Sequence, residues 1–329
     1  MVFDVYNPHD NTNVTDFYLE IIASSLRQCG METNYVKYMS EGEKNTNKGV
    51  LVADVKDVLQ AKQSNYKYIV YWIQGVAPEE FWLKKHDILR YCLYSYREYR
   101  ALRESDVVFF CSDEMKAHYE RKYRFKVNKC FVMPCFNEEI KFDVIQNKAF
   151  EENIFIYAGS LEKWQNFENT VRYYKRIEER VPDAKFNVFV KEIDEAKKIL
   201  DKYCVKNYDI AYVGKDELTN EIRKAKFGFC LREAVTVNRV ATPTKLSNYI
   251  SNGVMPVYSE CLSSFHSQAK SSSFCFNVNE QNCIDRIVSI CNSDIESSDV
   301  LSDFTDNFGL YYSRSYYENQ IKNIIQELK

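Results

Sequence analysis

Short runs of apolar residues alternate with longer amphipathic segments along most of the chain. In the first half, the apolar runs predict strands at residues 2–6, 35–38, 50–53, 68–73, 107–111 and 130–133. Helical periodicity predicts helices at residues 14–29 and 83–104. Because short buried strands alternate with helices, this pattern favours an α/β fold with parallel sheets that helices cover on both faces.

The second half repeats the same rhythm. Strands are predicted from residue 153 and at residues 185–191, 210–213, 227–231 and 255–258, and helices are predicted to begin near residues 166, 193, 216 and 244. The Ser/Asp-rich stretch at residues 292–306 predicts a surface loop, and a final helix is predicted at about residues 310–328. The charged, weakly periodic stretch between about residues 137 and 152 is the predicted domain boundary.

One polar segment, residues 238–249, leads into a predicted helix soon after a predicted strand. Pro243 suits the first turn of a helix, and Gly253 suits the left-handed backbone position after the last turn. A helix N-terminus that follows a strand offers free backbone N–H groups and the positive end of the helix dipole. Arg239 and Lys245 flank this N-terminus. The segment therefore predicts a site for an anion, and a phosphate in particular.

Two motifs resemble a known family. The sequence NRVATPTKL at residues 238–246, followed by Tyr249, Gly253 and Pro256-Val257, resembles the donor-binding segment of group 1 glycosyltransferases of the GT-B fold, the bacterial surface-polysaccharide type. The sequence IFIYAGSL at residues 154–161, with Lys163 and Asn166 after it, is similar to the first strand and loop of that family's C-terminal domain. The motifs cover roughly residues 150–260, and the N-terminal half matches only in its general α/β pattern.

The resemblance implies a GT-B architecture, in which two Rossmann-like domains face a central cleft. It implies an N-terminal acceptor domain at residues 1–145 and a C-terminal domain for a nucleotide-sugar donor at residues 146–309. The helix at residues 310–329 is expected to return to the N-terminal domain.

The activity that the resemblance implies is transfer of a sugar from a nucleotide-sugar to a hydroxyl of a glycan or lipid-linked glycan. The transfer is expected to be hexosyltransferase-like, to retain the anomeric configuration, and to need neither a metal nor another cofactor. Two alternatives stay open: a nucleotide-sugar epimerase of the same fold, and a catalytically silent nucleotide-sugar-binding subunit that supports an active partner.

Glycosyl transfer builds negative charge on the leaving phosphate, so cationic side chains are needed there. Arg239 and Lys163 are the first candidates, with Lys245 and Arg232 next, and Ser160 stands where the family commonly has an arginine. The full set of predicted donor-binding residues is Gly159, Ser160, Lys163, Arg232, Glu233, Asn238, Arg239, Pro243, Thr244, Lys245 and Asn248.

Two positions depart from the family pattern. Asn248 occupies the place of a glutamate that often bonds the ribose hydroxyls, and a neutral amide makes a weaker hydrogen bond than a carboxylate. Glu233 is the alternative carboxylate for the sugar's hydroxyls.

The family's frequent histidine in the first domain has no clear match. We therefore take Glu79 and His9 as catalytic candidates, with Glu80 and Asp10 as further candidates for the base that activates the acceptor hydroxyl. A purely structural alternative exists for each: Glu79 and Glu80 follow Pro78, so both suit the first turn of a helix, and the site lysines could be solvated surface residues.

Composition excludes several other classes of protein. A formal net charge of −3 argues against a nucleic-acid-binding protein, whose surface would be basic. No run approaches the roughly 20 apolar residues that cross a bilayer, and the chain begins directly with a strand pattern, which predicts a cytoplasmic protein. Eleven cysteines without a CxxC pair predict reduced, mostly buried thiols, and four histidines without ligand spacing predict no structural metal.

The segment from residue 84 to residue 126 carries eleven Lys/Arg against seven Asp/Glu, interleaved with tyrosines. In enzymes that resemble this chain, that part of the first domain often meets an anionic membrane, so the segment predicts a peripheral membrane contact. The alternative, slightly favoured by the pattern, is a solvated helix face whose tyrosines pack inward.

Overall fold

The computed structural model describes residues 1–8, 15–39 and 45–326 of the 329-residue chain. The chain divides into two compact units. The first comprises Met1–Asn137, Val240–Thr242 and Ser313–Lys329, and the second comprises Glu138–Arg239 and Pro243–Tyr312. The domain limits predicted from the sequence, at 145/146 and 309/310, stay predictions.

Each unit contains one parallel sheet, which has six strands among the described residues. The strands of the first unit are β1 (Val2–Tyr6), β2 (Glu32–Val36), β3 (Lys48–Val52), β4 (Tyr68–Ile73), β5 (Val107–Phe110) and β6 (Cys130–Val132). Those of the second are β7 (Ile154–Ala158), β8 (Lys185–Phe189), β9 (Tyr208–Ala211), β10 (Phe227–Cys230), β11 (Met255–Tyr258) and β12 (Phe276–Asn277). The strand orders are β2-β1-β3-β4-β5-β6 and β12-β11-β10-β7-β8-β9.

Helices connect the strands of both sheets. In chain order they are α1 (Thr15–Gln28), α2 (Val55–Gln63), α3 (Ala77–Lys85), α4 (Ile88–Glu104), α5 (Asp113–Tyr123), α6 (Phe142–Gln146), α7 (Phe167–Glu178), α8 (Ile193–Lys202), α9 (Lys215–Lys224), α10 (Thr236–Val240), α11 (Thr244–Ser251), α12 (Ser263–Ala269), α13 (Cys283–Cys291), α14 (Ser297–Phe308) and α15 (Arg314–Gln326). Helix α15 packs against α1 in the first unit, where Ser25 Oγ donates to the Glu318 carbonyl over 3.2 Å.

The expected α/β fold with parallel sheets is confirmed. Strands β5 and β7 are buried at every position, which explains why both read as unbroken apolar runs. The predicted strand at residues 68–73 agrees with β4 to the residue. Gly253 has a φ of 67°, so the left-handed position predicted for it is also confirmed.

Two predictions of secondary structure, one of a loop and one of a helix, were wrong. Residues 292–306 are not a surface loop, because α14 occupies most of the stretch and buries Val300, Phe304 and Phe308 at four-residue spacing. The first turn of α14 is rich in Ser and Asp, and this composition is common both at helix starts and in loops. The predicted helix at residues 83–104 is two helices, α3 and α4, separated at His86, whose φ of 52° ends α3.

Gly228 in β10 lies directly beneath the buried Tyr249 ring of α11. A Cβ at this position would lie 2.6 Å from two ring atoms of Tyr249, closer than packed atoms tolerate. We expect Gly228→Ala to lower the free energy of unfolding by about 1–3 kcal/mol, measured from the midpoint of urea unfolding. The matched control is Gly214→Ala, because a Cβ there meets open space and its φ is −69°. Equal stability of the two variants would contradict this packing.

Candidate functional site

The second sheet has one point at which its strand order reverses. Read from its other edge, the order β9-β8-β7-β10-β11-β12 is the 3-2-1-4-5-6 order of Rossmann-like sheets, so the reversal lies between β7 and β10. Ligands of open α/β sheets bind in the crevice outside the carboxyl ends of the strands at such a point. The loops that follow β7 and β10, together with the start of α11, supply the side chains there.

Lys245 is the central residue of this crevice. It lies in the first turn of α11, and its ammonium Nζ is 4.4 Å from the centroid of the Tyr157 ring at the end of β7. A Cβ on Gly159 would lie 2.9 Å from this Nζ, so the bare glycine leaves the ammonium its space. Lys245 Nζ is buried and has no hydrogen-bond partner in the described part of the chain.

Arg232 follows β10 and is a second buried cation. The residue is only 8% exposed, its Nη1 donates to Gln165 Oε1, and its backbone N–H donates to Ser259 Oγ over 3.0 Å. Gln165 ends the short 3-10 turn Lys163–Gln165 in the loop after β7. No carboxylate within residues 1–8, 15–39 and 45–326 forms an ion pair with Arg232 or Lys245.

The electrostatics of these two residues follow from their burial. Burial, together with the charge of Arg232, lowers the pKa of Lys245 to about 7, and the Cys230 thiol opposes that shift. Two buried cations without a compensating carboxylate lower the stability of the fold, because no ion pair offsets the free energy of their desolvation. The first-turn N–H groups of α11 also lack a capping side chain. The crevice therefore fits a phosphate or diphosphate, which would supply the missing negative charge.

Asn238 joins the two sequence motifs. Its side chain is 2% exposed, and its Nδ2 donates to the Trp164 carbonyl over 3.1 Å and to the Glu233 carbonyl over 2.8 Å. Asn238 thus ties the loop after β7 to the loop after β10. One turn beyond Lys245, the buried Oδ1 of Asn248 has no hydrogen-bond donor among the described residues.

The remaining predicted donor residues are more loosely placed. The Ser160 carbonyl accepts a hydrogen bond from Tyr157 OH over 2.7 Å. Pro243 is the N-cap of α11, one position before the predicted first turn, and it is half-buried, like Glu233 and Thr244. Lys163 is exposed, and no described residue forms an ion pair or hydrogen bond with its side chain.

Arg239 is separated from this group. It lies exposed on α10 and lines a cavity that also contains Arg232 but not Lys245. The two cations that sequence reasoning ranked first, Arg239 and Lys163, are thus the exposed ones, whereas the pair ranked second is buried at the strand reversal.

In the first unit, Glu79 is held in a polar cluster. Its Oε1 lies 2.8 Å from Lys122 Nζ, 3.1 Å from His118 Nε2 and 3.3 Å from Tyr91 OH. Burial alone would raise its pKa, but the hydrogen bonds from His118 and Lys122 outweigh burial and lower it. A carboxylate stabilised in this way is a weaker proton acceptor.

Glu80 has a different environment. With Asp54 it lines a cavity of about 290 Å³ at the carboxyl ends of β3 and β4, and burial raises its pKa. Of the two neighbouring glutamates, Glu80 is therefore the better placed to accept a proton. His9 and Asp10, the other candidate bases, lie outside the described residues.

Two side chains at the crevice were missed as site residues by sequence reasoning. Tyr157 provides the ring beneath Lys245, and Gln165 accepts from Arg232. Gln165 had one available signal, since it sits between Trp164 and Asn166 in the loop of the second motif. None of the eleven cysteines, all of which lie in the described part of the chain, forms a disulfide, and six of them are buried.

No group of three or more His, Cys, Asp or Glu side chains in the described part of the chain is arranged to hold a metal ion. None of its helices is both long enough and apolar enough to cross a bilayer.

Comparison with known proteins gives matches in structure alone. No protein-family model matches the sequence, and no curated protein matches it. The chain is similar in structure to the sucrose-phosphate synthase of Thermosynechococcus elongatus, with a TM-score of 0.69 and 10% identity over 99% of this chain and 98% of that one. It is also similar to the apo lipopolysaccharide outer core galactosyltransferase WaaB, with a TM-score of 0.66 and 12% identity over 100% and 99% of the two chains.

A third similar structure is that of a mutant of TarM from S. aureus in complex with Fondaparinux, alpha-GlcNAc-glycerol and UDP. The TM-score is 0.63 and the identity 12%, over 85% of this chain and 55% of that one, so the chain spans about half the length of TarM. At such identities the likeness concerns the fold. It confirms the architecture expected from the two motifs: the chain has the GT-B fold of glycosyltransferases, with one Rossmann-like sheet in each unit.

Proposed function

We propose that this protein is a glycosyltransferase that takes a sugar from a nucleotide-sugar donor bound by its second unit. The observation that carries the proposal is the pair of buried cations, Lys245 and Arg232, at the reversal point of the second sheet. Neither has a carboxylate partner among the described residues, and the missing side chain of Gly159 leaves room for the Lys245 ammonium. A donor diphosphate would compensate both charges.

In this proposal each residue has a defined role. Lys245 and Arg232 bind the diphosphate and stabilise the charge that develops on it as the bond to the sugar breaks. The Oδ1 of Asn248, which has no hydrogen-bond donor among the described residues, accepts from a ribose hydroxyl. Glu233 stays the predicted carboxylate for the sugar's hydroxyls. Asn238 positions both loops. Arg239 and Lys163 stay predicted contributors to leaving-group stabilisation, and Glu79, Glu80 and His9 stay candidate bases.

The similar structures support the class of substrate. The TarM structure contains UDP, and WaaB is named a galactosyltransferase. These two facts describe TarM and WaaB, and a nucleotide-sugar substrate for the present chain is our proposal. Retention of configuration, independence of metal, and a glycan or lipid-linked glycan acceptor are further parts of the proposal, and they rest on the motif resemblance.

The proposal is tested by a thermal-shift screen of the purified protein against UDP, GDP, dTDP, CMP and their sugar conjugates. A ligand at 100 times its Kd stabilises the native state by about 2.7 kcal/mol, which raises the melting temperature. We expect one nucleotide family to do so, and Arg232→Gln to remove the effect. The control is Arg172→Gln, which changes an exposed arginine of α7. No shift with any nucleotide would contradict a donor site.

Product analysis separates the alternatives. A glycosyltransferase releases the nucleoside diphosphate and transfers the sugar to an acceptor, whereas an epimerase changes the sugar without any acceptor. A catalytically silent subunit binds the nucleotide-sugar and converts nothing. The wild-type protein with the nucleotide-sugar identified in the screen therefore distinguishes all three.

We propose in addition that the first unit contacts an anionic membrane through an apolar face on α4. Leu89 is 80% exposed and Tyr96 59% exposed, and Ile88, Cys92 and Leu93 are exposed beside them. Exposed basic residues surround this face: Lys84, Lys85, Arg90, Arg97, Arg100 and Arg103. Apolar side chains flanked by cations suit a lipid interface.

The membrane contact predicts sedimentation with liposomes that contain anionic lipid. We expect the double variant Leu89→Asp/Leu93→Asp to reduce the sedimented fraction by about tenfold or more, because it places two charges in the apolar face. Leu310→Asp is the control, since Leu310 is 67% exposed in the second unit. If the wild-type protein stays in the supernatant, the idea of a membrane contact fails.

A further inference from the structure

A cavity of about 430 Å³ opens in the second unit at the carboxyl ends of β10, β11 and β12. Its volume falls within the range of small-molecule sites, roughly 300–1,000 Å³. The polar side chains that matter for its chemistry are Asn169, Arg232, Arg239, Ser263, His266 and Asn279. The cavity adjoins the proposed diphosphate position, because Arg232 belongs to both.

The wall of this cavity is positively charged. Arg232 contributes a buried guanidinium whose side chain makes one hydrogen bond, to Gln165, and Arg239 makes neither a hydrogen bond nor an ion pair with any described residue. Glu260 is the one carboxylate among the lining residues that the structure describes, and it is exposed and forms no ion pair there. The cavity thus has an excess of positive charge.

Both arginines line the same cavity as Cys261. Burial raises the pKa of the Cys261 thiol to about 11, and the charges of Arg232 and Arg239 oppose this rise. His266 is oriented by its Nδ1, which lies 3.0 Å from Tyr258 OH, and this contact leaves Nε2 available.

The chemistry of the wall indicates an acidic, hydroxyl-bearing ligand. A guanidinium binds a carboxylate or phosphate through two parallel hydrogen bonds, and here a second arginine is present beyond the one that the diphosphate would occupy. The amides of Asn169 and Asn279 and the hydroxyl of Ser263 are neutral groups that can bond sugar hydroxyls. A donor whose diphosphate lies at Lys245 and Arg232 would extend its sugar into this cavity.

We propose that the donor sugar carries an oxyanion, as a uronic acid does, and that Arg239 binds it. This inference rests on the proposed function, because it takes the diphosphate to lie at Lys245 and Arg232. It goes beyond that function by assigning an acidic class of sugar and a specificity-determining residue, and it gives Arg239 this role in place of leaving-group stabilisation.

The test compares acidic and neutral donors by the ratio of their dissociation constants. Titration calorimetry on the full chain measures UDP-glucuronate against UDP-glucose, and GDP-mannuronate against GDP-mannose. We expect the wild-type protein to bind the acidic member of at least one pair about tenfold more tightly, which is the contribution of one charge-assisted hydrogen-bonded pair. In Arg239→Gln the ratio is expected to fall to about one. Arg172→Gln, outside the cavity, is expected to keep it.

Other outcomes overturn the inference. If Arg239→Gln weakens the binding of both donors of a pair equally, Arg239 contacts the shared diphosphate and does not distinguish the sugars. If the wild-type protein prefers neither donor but inorganic phosphate binds through Arg239, the cavity serves a free anion and the donor sugar is not acidic. If no nucleotide-sugar binds, the proposed function fails. Free glucuronate is then the probe of the acidic-sugar site, and binding that depends on Arg239 would still support that site. If free glucuronate does not bind either, the acidic-sugar site is contradicted as well.

Discussion

Lys245→Met is expected to weaken donor binding by about 100-fold, because losing a charge-assisted contact to a buried phosphate costs about 3 kcal/mol. The same substitution is expected to raise the melting temperature of the unliganded protein. The buried ammonium has no hydrogen-bond partner and no carboxylate within the described residues, so a methionine of similar length removes a desolvation cost. A variant that is more stable but no longer binds the donor would show that Lys245 serves binding at a cost in stability.

Both effects are measured with one instrument. Differential scanning fluorimetry without ligand reports the stabilisation, which we expect to be roughly 2–4 °C per kcal/mol for units of this size. The same scan with the nucleotide-sugar found in the screen reports the loss of binding, and calorimetry gives the Kd. Lys197→Met is the control, because Lys197 is exposed on α8. A variant that binds the donor normally would remove Lys245 from the site, and one that melts much earlier would show that the ammonium supports the fold.

Donor affinity is expected to fall as the pH rises above about 7. The pKa of Lys245 is about 7 in the free protein, lowered by burial and by Arg232, and a bound diphosphate would raise it again. The protonated form is the one that binds, so between pH 7 and the higher pKa of the complex each binding event takes up about one proton. The Kd then rises by up to about tenfold per pH unit in that window. Below pH 7 this residue contributes no further change.

The measurement requires a ligand that does not titrate in the same window. A nucleotide-sugar meets this condition, whereas the terminal phosphate of a free nucleoside diphosphate ionises near pH 6. Calorimetry at pH 8 in buffers of different ionisation enthalpy counts the protons taken up. Lys245→Arg is the matched variant, because a guanidinium stays protonated and its binding should not vary with pH. A wild-type Kd that is flat from pH 6.5 to 8.5 would contradict a neutral Lys245 in the free protein.

Local sequence patterns predicted most of the architecture. Strand β4 was predicted to the residue, and the left-handed Gly253 was expected from the end of a helix pattern. Helix α14 was missed because its polar first turn dominates the composition, although its apolar residues recur every four positions. The motif resemblance predicted Gly159 and Lys245 as donor-binding residues. For stabilising the leaving phosphate, however, the exposed Arg239 and Lys163 were preferred to the buried Arg232 and Lys245.

The class of fold follows from the sequence alone, because the spacing of apolar residues sets which elements form and which faces they bury. The residue types at the ends of the strands can be read from the sequence as well. Which of their charges are compensated depends on contacts that form only in the folded chain. Glu79 and Glu80 are neighbours in the chain, but successive helical residues point about 100° apart, so one meets Lys122 and the other meets a cavity. Lys245 likewise owes its lowered pKa to burial and to the charge of Arg232, a residue that lies after a different strand and comes beside Lys245 only in the folded chain.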